Sequence, residues 1–212
     1  MNNNNNNNNN IIRNPVIKVV FVGTNSVGKS SLINTYFDQP FDEYIYSTLY
    51  ADYRIKKLSV ENKTYTIRVH DTAGSDRLRN ILRLTIRYSK IIVLVFDMTK
   101  KNSILELERI LDIILDEMGT KFSLVLVGNK TDLYDKYEIK EKEAEELAKA
   151  LKAPFILSSA KNNSEGFKRF FDNFLEDYIR QHRDELENAE QRVLRLNNPN
   201  RNRNRRNRGF FC

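Results

Sequence analysis

Cysteine is nearly absent from this chain: among 212 residues there is one, Cys212. An internal disulfide is therefore excluded, and a reducing compartment is the expected setting. Long apolar runs are missing as well. The longest, Ile91 to Phe96, falls far short of the roughly 20 residues that cross a bilayer, so no transmembrane helix is expected. The N-terminus carries neither a charged segment followed by an apolar one nor a glycine after Met1, which argues against secretion and N-terminal lipidation. Acidic residues stop at Glu190. Beyond it lie Arg192, Arg195, Arg201, Arg203, Arg205, Arg206 and Arg208, which account for the whole net charge of +7. The body is neutral and the tail basic.

What is present suits one domain of about 150–200 residues with free ends. Asn2 to Asn10 is a homopolymeric run with nothing to bury, and disorder is expected there. The division expected is residues 1–14 as an Asn-rich N-terminus, 15–180 as a folded domain, and 181–212 as a helical extension with an Arg/Asn-rich tail.

Short β-branched runs alternate with helical patterns. Ile17 to Val22, Ile91 to Phe96, Leu124 to Val127 and Phe155 to Leu157 read as buried strands, which implies a parallel sheet covered on both faces. Arg54 to Val60 and Thr64 to His70, joined by the three residues Glu61-Asn62-Lys63, read as an antiparallel hairpin and bring the strands to six. The fold class expected is α/β, a mostly parallel six-stranded sheet with one antiparallel strand and helices on both faces. Phe167, Phe170, Phe171, Phe174, Leu175, Tyr178 and Ile179 recur at helical spacing, the stripe of an ordinary packed helix.

Gly23-Thr24-Asn25-Ser26-Val27-Gly28-Lys29-Ser30 fits G-x-x-x-x-G-K-[ST] and lies between the first strand and a helix. Glycines let backbone N–H groups turn toward phosphate oxygens, and the following helix adds its positive end. Lys29 supplies a point charge, Ser30 a hydroxyl for magnesium, and Asn25, Ser26, Val27 and Ser31 complete the phosphate loop. ATPases and small-molecule kinases use the same loop, so the base is left open.

Asn129-Lys130-Thr131-Asp132 follows the strand Leu124 to Val127, at the edge where open α/β sheets bind ligands. A carboxylate at Asp132 can accept from both the N1–H and the amino group of guanine, whereas adenine offers a bare N1 that the anion repels. Such a site can reject the wrong base by about 10⁴–10⁵-fold. Ser159-Ala160-Lys161, after the last strand, can close over the base.

These motifs together resemble the Ras-superfamily small GTPases over about residues 16–180. The resemblance implies a GTP/GDP switch that hydrolyses GTP with magnesium. It makes Asp71-Thr72-Ala73-Gly74 the second switch, with Asp71 holding a magnesium-bound water and Gly74 reporting the γ-phosphate. It also makes Tyr46-Ser47-Thr48 the end of the first switch, with Thr48 closing on magnesium, and sets Phe41 against the guanine. Exchange factors, activating proteins and effectors are then expected at 41–53 and 71–88, and the chain is expected to be a monomer. Asp52-Tyr53 and Arg77-Leu78-Arg79-Asn80-Ile81 look most like the Rab branch, although Leu49-Tyr50-Ala51 and Thr85-Ile86 depart from it. Ser75 stands where the family usually has a glutamine that orients water, so slow hydrolysis is expected, with a GTP-locked scaffold as the alternative. The arginine tail with a lipid on Cys212 would form a two-signal anchor to the cytoplasmic face of a membrane. The Rab resemblance implies a role in vesicle traffic. Nucleic acid is not the expected partner of the tail, since no aromatics interleave its arginines.

Overall fold

The computed structural model describes residues 14–44, 48, 52–72 and 79–196. Along the chain run β1 (Val16–Val22), α1 (Lys29–Tyr36), β2 (Asp52–Val60), β3 (Lys63–Asp71), α2 (Arg79–Ile86), β4 (Ile91–Asp97) and α3 (Lys101–Met118). These are followed by β5 (Ser123–Asn129), a 3-10 segment (Thr131–Lys136), α4 (Glu141–Leu151), β6 (Phe155–Leu157), α5 (Ser164–Gln181) and α6 (Arg183–Leu196). The strands form one sheet in the order β2-β3-β1-β4-β5-β6. Only the β2–β3 pair is antiparallel.

Burial follows from strand position. Every residue of β4 is buried, because the strand has a neighbour on each side and helices over both faces. Its sequence, IIVLVFD, shows no alternation for that reason. Two apolar clusters fill the two faces. Ile17, Val19 and Phe21 pack with Leu32, Ile33 and Tyr36 of α1 and with Phe167, Phe171 and Leu175 of α5. Val20, Ile92, Leu94 and Phe96 pack with Ile104 and Leu107 of α3 and Ala144 and Ala148 of α4. The expected aromatic stripe of α5 is core: Phe167 and Phe171 stack at 5.6 Å, and Phe170 and Phe174 lie partly buried against them.

One expectation needs correction. The β2–β3 connection is two residues, since Lys63 already pairs with Val60. Glu61 and Asn62 both take positive φ, 48° and 64°, the conformation that lets a two-residue turn follow the strand twist. Past residue 180, where the apolar periodicity fades and a helical extension is expected, α6 packs back on the domain. α6 buries Leu186 in the same cluster as α5, and Arg183 reaches Glu61 at 2.7 Å. Among the described side chains of α6, Leu186 is the buried anchor of a helix rich in charge, so a periodicity count passes over it.

Strand β1 lies between β3 and β4, and the chain leaves it in opposite directions to reach them. Its carboxyl end is therefore the crevice at which sheets of this type bind ligands.

Candidate nucleotide site

The loop after β1 is shaped by what it must avoid. A Cβ on Gly23 would be driven into the carbonyl oxygen of Val95 on β4, and Gly28 adopts φ 94°, a region that side chains disfavour. Val27 turns its side chain into the core, while its carbonyl oxygen accepts a hydrogen bond from Asn129 Nδ2 at 2.8 Å. Lys29 is buried, its ammonium 2.9 Å from the carbonyl oxygens of both Gly23 and Thr24. Burial lowers its pKa to about 8, with the nearby Asp71 carboxylate opposing the shift.

Three oxygen-bearing side chains meet beside the loop. Ser30 Oγ and Thr48 Oγ1 are 2.8 Å apart, and Thr48 Oγ1 donates to Asp71 Oδ2 at 3.4 Å. Asp71 Oδ1 is buried without a hydrogen-bond partner. Burial raises the Asp71 pKa, while the Ser30 hydroxyl, the Lys29 charge and the Thr48 hydroxyl pull it down. Two hydroxyls and one carboxylate fit magnesium, a hard cation that takes few protein ligands and completes its shell with water and phosphate. The unsatisfied Oδ1 is the observation that makes the fit.

On the far side of the loop, β5 delivers Asn129 as its last residue, so the motif starts inside the strand rather than after it. Asn129 is a strut: besides holding Val27, its Oδ1 accepts the N–H of Ala160 at 3.3 Å. Lys130 follows in the left-handed region, φ 68°. Ser159 Oγ donates to Asp132 Oδ1 at 2.6 Å and accepts the N–H groups of Lys161 and Asn162 at 3.1 and 3.0 Å. The Lys161 ammonium stands 6.0 Å from the Phe41 ring centroid.

Both motifs open on one cleft of about 380 Å³, lined by Asn25, Ser26, Gly28, Lys29, Ser30 and Ser31 on the phosphate-loop side. Phe41, Thr48, Asn129, Lys130, Asp132, Ala160 and Lys161 line much of the rest, with Asp42, Glu43, Thr72 and Leu133. Gly23, Val27, Asp71 and Ser159 stand behind this lining as support, and Gly74, Ser75 and Cys212 lie outside the described residues. Sequence reasoning missed Asp97, whose Oδ2 is 2.7 Å from the Lys130 ammonium, and, within the second-switch motif, gave no role to Thr72, whose hydroxyl donates to the Phe21 carbonyl oxygen at 2.7 Å. The signal for Asp97 was present: a carboxylate closing the wholly apolar run Ile91 to Phe96.

A sequence model of the Ras family matches residues 18–180. The chain belongs to the Ras family. That span runs from within β1 almost to the end of α5 and takes in every residue lining the cleft. As a Ras-family protein the chain is a GTP-binding switch with GTPase activity, of a family that uses GTP and GDP with magnesium and works through regulators and effectors. Among the described residues no helix is long and apolar enough to cross a membrane.

Proposed function

We propose that this Ras-family protein is a Rab-like switch that holds the nucleotide phosphates on Gly23 to Ser31 and the guanine on Asn129, Lys130, Asp132 and Ser159 to Lys161. The observation that carries the reading is the single cleft onto which the lysine of the phosphate loop and the carboxylate of Asp132 both open. Burial disfavours the charge of Lys29, and phosphate oxygens beside it would favour that charge again. Asp132, oriented by the Ser159 hydroxyl, presents its carboxylate to the guanine edge. Ser30, Thr48 and Asp71 would hold magnesium, which neutralises charge on the phosphates when bound. Regulators and effectors then read segments 41–53 and 71–88, because Thr48 and Asp71 tie both to the nucleotide.

Hydrolysis is slow in this reading. Serine at 75 is too short to hold water where the family's glutamine does, and losing one such group costs about 10²–10³-fold in rate. The Asp52-Tyr53 and Arg77 to Ile81 sequences support placement in the Rab branch and hence in vesicle traffic. The GTPase domain spans 15–180 with α6 packed on it as its helical extension, and the arginine tail with a lipid on Cys212 attaches it to the cytoplasmic face of a membrane. A second reading, a GTP-locked scaffold, is favoured by Ser75 together with Asn25 in the phosphate loop.

Nucleotide extracted from the purified protein and separated by chromatography tells the two apart. Mostly GDP supports the cycling switch and mostly GTP the scaffold. Binding of ATP as tight as GTP, or single-turnover hydrolysis as fast as in a glutamine-bearing relative, would overturn the base assignment or the slow rate respectively.

A further inference from the structure

We propose that Asp97 is a positioning residue for nucleotide retention, acting through Lys130; the inference rests on the guanine-nucleotide reading above. Asp97 ends β4 directly beside Asn129, with which it is in register, and its side chain is fully buried. Its Oδ1 accepts from both the N–H and the hydroxyl of Thr99, at 2.9 and 2.7 Å, which fixes the carboxylate plane. The remaining oxygen, Oδ2, is buried and has no aligned donor. Across from it is the Lys130 ammonium at 2.7 Å, the one cation paired with it among the described residues.

Lys130 is thereby held at both ends. Its backbone sits in a left-handed turn between the Asn129 strut and the 3-10 segment that carries Asp132, and its carbonyl accepts the N–H of Leu133 at 3.0 Å. Its ammonium is moored to Asp97, and the side chain between these two points lines the cleft. Lysine has among the largest rotamer freedoms of any side chain. Here that freedom is already lost before a ligand arrives, so a nucleotide lying against Lys130 meets a pre-organised wall. An unpaired Lys130 would have to be ordered at each binding event, and a bound ligand would leave sooner. A carboxylate this deeply buried is costly without a paired cation, which favours the lysine in place rather than turned to solvent.

The test is the release rate of a fluorescent GDP analogue from the full chain, measured for wild type, Asp97→Asn, Lys130→Met and the double variant. Asp97→Asn is expected to speed release by about tenfold, the scale of a lost charge-assisted contact. The double variant should release no faster than Lys130→Met alone, since Asp97 acts only through the lysine. Unchanged release in Asp97→Asn, or effects that multiply in the double variant, would overturn the proposal. Should Asp97→Asn fail to fold, Lys130→Arg decides: it keeps a charge for Asp97, so it should release the nucleotide several-fold more slowly than Lys130→Met. Release as fast as from Lys130→Met would refute the pairing. If wild type itself shows no preference for guanine over adenine nucleotides, the underlying reading has failed instead.

Discussion

The amide nitrogen of Asn129 occupies the space where a side chain on Gly28 would stand. Two motifs far apart in the chain are thus complementary in shape: one lacks a Cβ so that the other can cross to the Val27 carbonyl. Asn129→Ala removes the strut and leaves that buried carbonyl without its partner, which should cost about 1–3 kcal/mol and speed GDP release. Gly28→Ala should be worse, because it adds a clash to a backbone at φ 94°. In the pair Gly28→Ala with Asn129→Ala the clash is relieved but the strain of about 1–2 kcal/mol remains. Urea denaturation of the three variants checks the order. A double variant as stable as wild type would refute the strain argument.

Ser159 is the hinge of the base side, since one hydroxyl both donates to Asp132 and accepts two backbone N–H groups. Ser159→Ala should weaken preference for GTP over ATP by about tenfold, the scale of one charge-assisted hydrogen bond. Asp132→Ala should weaken it much further, because the recognising carboxylate itself is gone. Competition binding with the two nucleotides reads both ratios, and a selectivity in Asp132→Ala equal to wild type would remove the carboxylate from base recognition.

How much of this was legible beforehand depended on the range of the interaction. β4 and the phosphate loop carry local signals, an unbroken apolar run and a glycine spacing, and both sit where the pattern placed them. The hairpin was visible, but its turn was one residue too long. Whether Lys63 pairs is decided by the φ values of Glu61 and Asn62, and composition does not encode them sharply. Asp97 and Lys130 are 33 positions apart in numbering and adjacent only because β4 and β5 are neighbours in register. No local pattern reports such a pair. Leu186 was invisible for a related reason, as its burial comes from the main apolar cluster it joins and not from its own helix.

Acid should loosen the carboxyl end of β3. Burial, with the charges of Lys18 and Arg68, lowers the His70 pKa to about 4, and its Nε2 is buried without a partner. In the unfolded chain histidine titrates near 6.5, so between these values the unfolded state binds more protons. The contribution is complete above about pH 6.5 and is lost as pH falls toward 4. After discounting for solvent screening it is on the order of 1 kcal/mol. Thermal unfolding followed from pH 7 to pH 4 should flatten in His70→Phe relative to wild type. Equal slopes in the two proteins would show that acid sensitivity lies elsewhere.

α6 is attached in two ways, and their exposure decides which dominates. Lys63 lies 3.4 Å from Glu187 and 3.3 Å from Glu190, and Arg183 reaches Glu61, but all of these side chains keep some solvent. Ion pairs of that kind contribute little and fade with salt. Leu186, by contrast, is 4% exposed within the main apolar cluster. Leu186→Ala should therefore cost about 2–3 kcal/mol, the lower part of the range for buried leucines, because the end of a molecule can relax around the gap. Lys63→Ala should change stability far less, and raising NaCl to about 1 M, where charges are screened within about 3 Å, should leave most of the attachment intact. Limited proteolysis gives a local reading of the same question: cleavage within 183–196 should rise in Leu186→Ala and stay near wild type in Lys63→Ala. If salt alone releases the helix to protease while Leu186→Ala does not, charge holds α6 and the apolar anchor is incidental.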